Sequence, residues 1–207
     1  MENILLKNID LDGRQVDILV SDGTIGKIST PGGIIPKEST QVVDCTGKAA
    51  VPGLVNMHTH AAMTLMRGVK EDAKLHEWLD CIWKIESGID EGYVLAASKV
   101  AMLEMVKTGT TTFNDQYWFP LRTHEAAMEM GLRDASAYLF LDRFDPSEAE
   151  RQKDECLKMY EESLYWGKRS IFTVGVHAVY TVSEETILWA VEFARKHSLR
   201  IHIHVSE

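Results

Sequence analysis

Two patterns of apolar and polar positions run along this chain. Up to about residue 50 the apolar residues come in short β-branched runs, "NILLKN", "VDILVSDGTIGKIS" and "QVVDCTGKAAV", broken by Asp-Gly, Pro-Gly-Gly and Thr-Gly. Such runs bounded by turn formers predict strands, and Asp22-Gly23 between "DILVS" and "TIGKIS" is a hairpin signal. Residues 1–50 therefore predict a small antiparallel, β-sandwich-like unit, near the lower size limit for independent folding.

After Pro52 short apolar runs alternate with longer segments of helical period. "GLVNMHTH", "TTTFNDQ", "RDASAYLF", "IFTVGVHAVY" and "RIHIHVSE" predict five strands. Between them "HEWLDCIWKIES", "EGYVLAASKVAMLEMVKTG", "THEAAMEMG", "DPSEAERQKDECLKMYEESLYWG" and "TVSEETILWAVEFARKHS" predict helices. Gly109 and Gly131 are their stops, Ser183 an N-cap, and Ser147 with Glu150 a capping box.

Repeated strand–helix alternation implies a parallel sheet with helical crossovers. Five strands suit an open doubly wound sheet by count, because a closed (β/α)8 barrel takes eight strands and typically ~250 residues. The polar residues argue for the barrel. His58, His60, Asn114, Asp115, His177, His202 and His204 fall at or near C-terminal strand ends, which converge on one rim in a barrel. The expected fold class for residues 51–207 is α/β, an incomplete (β/α)8 barrel of about five units, truncated after the fifth strand.

Charge narrows the partners. With 31 acidic against 22 Lys and Arg residues, a net charge of −9 and no clustered basic stripe, neither nucleic acid nor an anionic membrane surface is the expected main partner. No apolar run approaches the ~18 residues of a membrane span. "MENILLKNID" lacks a basic n-region followed by an apolar h-region, so no signal peptide and a cytoplasmic location are expected. Cys45, Cys81 and Cys156 are far apart and no CxxC occurs, which suits reduced thiols and argues against thiolate metal ligation.

The histidines carry the candidate chemistry. Alternate strand residues face one side, so His58 and His60 present two nitrogens about 7 Å apart along a strand at ~3.3 Å per residue. Imidazoles so placed can lean onto one metal ion at ~2.1 Å; they can equally end a strand on loop carbonyls. His202 and His204 share a face too, and spacing to Glu207 favours His204 as the functional one, with His202 a layer deeper as a core histidine. His177 after "VGV" reads from its residues alone as structural before catalytic, and Asp115 as a loop cap or a supporting acid. The stripe Trp78, Ile82, Trp83 reads as core, although Trp78 lies in a long strand-to-helix connection. His76, His124 and His197 read as surface residues.

Taken together, "PGLVNMHTH" after a β-rich unit, "MTLMRG", "EWL", "GTTTFND", "HAVYTVS" and "HIHVSE" resemble the amidohydrolase superfamily. The specific parts are the strand-one His-x-His behind Pro-Gly and the strand-five histidine followed three residues on by glutamate. The "THAAMTLMRG" context is similar to the subgroup of cytosine, guanine and 5-methylthioadenosine/S-adenosylhomocysteine deaminases and triazine chlorohydrolases, the thioether deaminases matching best. The resemblance spans the whole chain, which covers the first half of such an enzyme.

That resemblance implies roles. His58, His60 and His204 would be metal ligands. Glu207 would be catalytic, relaying a proton to the purine ring nitrogen while metal-activated water attacks the amine-bearing carbon. His177 would contact substrate, Trp78 would line the base or thioether pocket, Glu86 would hold the ribose hydroxyls, and Arg143 is a further pocket candidate. Related enzymes bridge two metals with a strand-four lysine; "IFTVGVHAVY" has none, so one divalent ion is implied, zinc first and iron(II) as the alternative.

The superfamily also uses a strand-six histidine and a strand-eight aspartate. A chain covering five strands is then a piece of a deaminase, or a chain completed by a homo-oligomer or a complementing C-terminal half, or an inactive binding or assembly module. The first is adopted here, acting on a small-molecule nucleoside. Guanine or cytosine deamination and triazine dechlorination are the competing activities.

Overall fold

The computed structural model describes residues 3–206, and the chain divides into two compact units, Met1–Pro52 and Gly53–Glu207. In the first, β1 (Asn3–Leu11), β2 (Arg14–Ser21), β3 (Thr24–Ser29) and β4 (Thr40–Asp44) form one sheet in the order β3-β2-β1-β4. The Asp22-Gly23 hairpin is there, with both φ angles positive (50° and 74°), as a two-residue turn of that type requires. Asp12-Gly13 makes a second such turn between β1 and β2 (52° and 77°) from the same dipeptide. The expected sandwich-like, all-antiparallel arrangement is corrected: this is a single sheet, and β4 runs parallel to β1. The ten residues between β3 and β4 give the chain room to return to the same end before pairing. Ile9, Ile18 and Cys45 form the small core.

In the second unit, β5 (Leu54–Thr59), β6 (Thr110–Gln116), β7 (Arg133–Phe140), β8 (Ser170–Val176) and β9 (Ile201–Ile203) make an all-parallel sheet. The strands stand in strict chain order, β5-β6-β7-β8-β9. A doubly wound sheet needs a point where the order reverses; this sheet has none, so it is an arc of a barrel wall. Five helices connect it: α1 (Leu75–Glu86), α2 (Glu91–Lys107), α3 (Pro120–Met130), α4 (Pro146–Ser163) and α5 (Glu184–His197).

The outward side chains bury against these helices. Phe113 of β6 packs on Met102 and Met105 of α2 and Ala126 and Ala127 of α3. Tyr138 and Phe140 of β7 and Phe172, Val174 and Val176 of β8 pack on Cys156 and Met159 of α4 and Phe193 of α5. No helix among the described residues is long and apolar enough to cross a membrane. The three cysteines are unpaired.

Local chemistry departs from expectation at a few points. The α4 cap is Asp145, whose carboxylate accepts the Ser147 N–H at 2.8 Å, rather than Ser147 itself. Pro146 is pre-set for the first helical position, which moves the cap one residue upstream of it. Ser183 caps α5 by accepting from Thr186 N–H. A 3-10 turn, Ala61–Met66, follows β5 directly. His124 is not a surface residue: its Nδ1 lies 3.0 Å from Asp134, whose side chain is fully buried, and its ring stacks on Trp166. His197 is half-buried, its ring tilted against those of Tyr160 and Phe193.

Candidate metal centre

Parallel pairing sets the C-terminal ends of β5 and β9 at opposite sides of an arc, and the curvature brings their histidines together across its inner face. His204 Nε2 is 3.3 Å from His58 Nε2 and 3.2 Å from His60 Nε2. With one ligand atom from each, the nitrogens of His58, His60 and His204 lie within 4.8 Å of one another. Two nitrogens bound tetrahedrally to one ion at ~2.1 Å stand about 3.4 Å apart. The His204 contacts therefore have the edge length of that tetrahedron. A neutral imidazole has a single N–H, so His204 Nε2 cannot be satisfied by both neighbours through protons alone.

The far side of the His60 ring fixes its tautomer. His60 Nδ1 is 2.5 Å from the Gln116 carbonyl, which can only accept. His60 therefore carries its proton on Nδ1 and offers a lone pair on Nε2. His58 Nδ1 is 2.6 Å from His202 Nε2. His204 Nδ1 is buried with no hydrogen-bond partner among the described residues. Burial pushes the His60 pKa down to about 4, helped by the neighbouring histidines and opposed by the Gln116 carbonyl. Burial, then His58, lowers His202 to about 4 as well. Neutral imidazoles are the form that ligates metal. The donor set fits one borderline-soft divalent ion such as zinc or iron(II).

β6 supports this corner. Asp115 is buried and accepts the Ala61 N–H at 2.7 Å, pinning the residue after His60. Its pKa is raised to about 7, chiefly by burial. The folded chain thus holds a proton that the unfolded chain gives up near pH 4. The stabilisation is present in acid and is lost as pH rises toward 7. Asp115→Asn removes this dependence: relative to the parent, its unfolding free energy should rise by about 2 kcal/mol between pH 5 and pH 7. Urea melts of the metal-free chain at both pH values measure the difference; equal slopes for the two proteins would refute it.

The other candidate residues distribute unevenly. A cavity of about 50 Å³ is lined by Trp78, Glu86 and His177 together with His60 and His204. The His177 ring lies 5.0 Å from that of His204, its Nδ1 bonds Thr181 Oγ1 at 2.8 Å, and its carbonyl accepts the His204 N–H. His177 falls just past the end of β8, which stops at Val176. Glu86 already accepts from Tyr117 OH at 2.7 Å and Trp118 Nε1 at 3.0 Å. Arg143 is not in this cavity. It stands 5.2 Å over the Trp83 ring, lining an adjoining cleft of about 680 Å³ with Trp83, Glu86 and Trp118. Glu207, read as the proton relay, lies outside the described residues.

Sequence reasoning missed Tyr117, Trp118 and the partner of His202, which it read as a core histidine and which is buried. The first two follow "TTTFNDQ" directly, and position just after a barrel strand was the available signal. Trp83 was taken as core; it is half-buried and faces the cleft.

The model of the amidohydrolase family matches residues 49–207. The chain belongs to that family. This amidohydrolase chain is 41% identical over 196 residues to a 5′-deoxyadenosine deaminase of Methanosphaera stadtmanae, covering 94% of its own length and 46% of the relative's. It is 39% identical over 210 residues to a 5′-deoxyadenosine deaminase of Methanocaldococcus jannaschii, covering 99% and 49%. It thus spans about half the length of the curated relatives it matches. Among solved structures, an adenosine deaminase from Xanthomonas campestris with bound zinc superposes at a TM-score of 0.84 and 24% identity, over 98% of this chain and 48% of that one. An atrazine chlorohydrolase from Arthrobacter aurescens complexed with zinc gives 0.82 and 21% identity, over 99% and 53%. At those identities the likeness is one of fold: the amidohydrolase chain is an arc of their barrel.

Proposed function

We propose that this chain forms the metal-binding half of a hydrolytic deaminase acting on 5′-modified adenosines, including 5′-deoxyadenosine, methylthioadenosine and S-adenosylhomocysteine. The observation that carries the reading is the approach of His204 Nε2 to the Nε2 atoms of His58 and His60 at a tetrahedral edge length. The names of the 5′-deoxyadenosine deaminase relatives support the substrate class.

His58, His60 and His204 would hold one divalent ion. A bound divalent ion makes hydroxide available at neutral pH by lowering the pKa of water to ~7. The remaining residues bind and orient. Trp78, Trp83 and Trp118 offer aromatic faces to a purine beside the histidines. His177 would contact the ring, and the remaining lone pairs of Glu86 would accept ribose hydroxyls. Arg143, over Trp83 in the adjoining cleft, would meet the 5′ substituent. Glu207 is the proposed proton relay.

β5 and β9 are the two edges of the sheet. We propose that strands from a complementing C-terminal half close it, and that turnover needs that half. The test is product release by the zinc-loaded chain, alone and mixed with the separately produced C-terminal half of the Methanocaldococcus relative. Ammonia released from the adenosines supports the proposal. Ammonia from guanine alone, or chloride from atrazine alone, replaces it with the competing activity. A chain that takes up no metal in either arm is a binding or assembly module.

A further inference from the structure

His202 is the central residue of β9 and is 8% exposed. Its Nε2 lies 2.6 Å from His58 Nδ1. The inference built on this contact rests on the metal-centre reading above. A ring that presents Nε2 to a cation keeps its proton on Nδ1, and that proton needs an acceptor. For His60 the acceptor is the Gln116 carbonyl. For the His58 ring it is His202 Nε2; the nearby Asn56 carboxamide oxygen is engaged by the His58 main-chain N–H at 3.2 Å.

The opposite assignment is incompatible with a cation held at His58 Nε2. Were His202 to donate from Nε2, His58 Nδ1 would be the acceptor and the His58 proton would sit on Nε2. That atom is 3.3 Å from His204 Nε2, and a protonated nitrogen there could bind no ion. Accepting at Nε2 in turn puts the His202 proton on its own Nδ1. An apolar side chain would fill the same buried place on β9, but it could not hold the His58 ring in the ligating tautomer.

We propose that His202 is a positioning residue: it accepts the Nδ1–H of His58 and so preorganises the His58–His60–His204 site for a divalent cation. The class of ligand is unchanged; what His202 sets is how tightly the cation is held.

The test is zinc affinity, measured by competition with a chromophoric chelator, for the parent chain, His202→Phe and His202→Gln. Phenylalanine keeps the ring volume and removes the acceptor. The glutamine carboxamide oxygen can reach the place of Nε2. The expected result is an affinity loss of about 10–100-fold for His202→Phe, the range for removing a ligand's outer hydrogen-bond partner, with most of it restored by His202→Gln. Far-UV circular dichroism reports whether each variant is folded.

Side-chain ¹⁵N–¹H spectra of the zinc-loaded parent give a readout independent of any variant: the His58 proton should be on Nδ1 and the His202 proton on Nδ1. A folded His202→Phe chain binding zinc as tightly as the parent overturns the proposal. So does a parent spectrum with the His202 proton on Nε2, whether or not the variants fold. A parent that binds no zinc overturns the metal centre as well, so the two failures are told apart.

Discussion

Replacing His204 by alanine should lower the zinc affinity of this chain by more than about 100-fold. Loss of an outer hydrogen-bond partner costs a metal site about 10–100-fold, and loss of a ligand exceeds it. His204 is the sensitive position because its Nε2 lies 3.3 and 3.2 Å from the Nε2 atoms of the other two rings and brings the β9 side to the site. Without it His58 and His60 remain, two residues apart on one strand end, and they span one corner of the coordination sphere. His177→Ala is the control. The His177 ring is near, 5.0 Å from His204, but His177 is not in the cluster whose nitrogens converge. Its substitution should change zinc affinity by less than about threefold by the same chelator competition. An alanine at 204 that left the affinity intact would remove the metal centre from this reading. An equal loss at 177 would mean that the site is a looser group of histidines.

What the sequence made legible follows from the range of the forces involved. The β5–β9 strands and the five helices come from local periodicity and turn chemistry, and each appears where its pattern lies. The His-x-His at 58 and 60 is visible because alternation along one strand is itself a local rule. Barrel against open sheet could not be settled by counting strands. Strand order, β5 through β9 without reversal, settles it, and order is a property of long-range pairing.

The choice between His202 and His204 shows the same boundary. Spacing favoured His204 as the ligand, and left His202 as a core histidine with no stated partner. The partner is His58, 144 residues away, and no window of sequence contains both. Asp115 was readable as a polar residue at a strand end, but that it holds Ala61 depends on the β5–β6 register, which has irregular steps after Leu54 and after Asn56. His124 was misread for the opposite reason: its helix looks exposed, and the buried Asp134 that holds it lies on the next strand.

Phe140→Ala should destabilise the chain by about 3–5 kcal/mol, the range for removing a buried aromatic ring from a core. Phe140 is 0% exposed at the end of β7, packed in a T-shaped contact with Tyr138 at 5.1 Å and near Trp189 at 5.6 Å. The surrounding cluster joins β7 and β8 to α4 and α5, so the cavity left behind is walled by four elements that cannot all move inward. The loss should register as a lower urea midpoint with an unchanged m-value. It also reaches the site: the Phe140 carbonyl accepts the His177 N–H, and the His177 carbonyl accepts the His204 N–H. Relaxation of β7 around the cavity should therefore reach His204 along this backbone chain. The folded variant should bind zinc more weakly, but by less than His204→Ala, because every ligand is retained. A loss below about 1 kcal/mol would show that the outer cluster repacks freely. The hold of the sheet on His204 would then have to come from β8–β9 pairing alone.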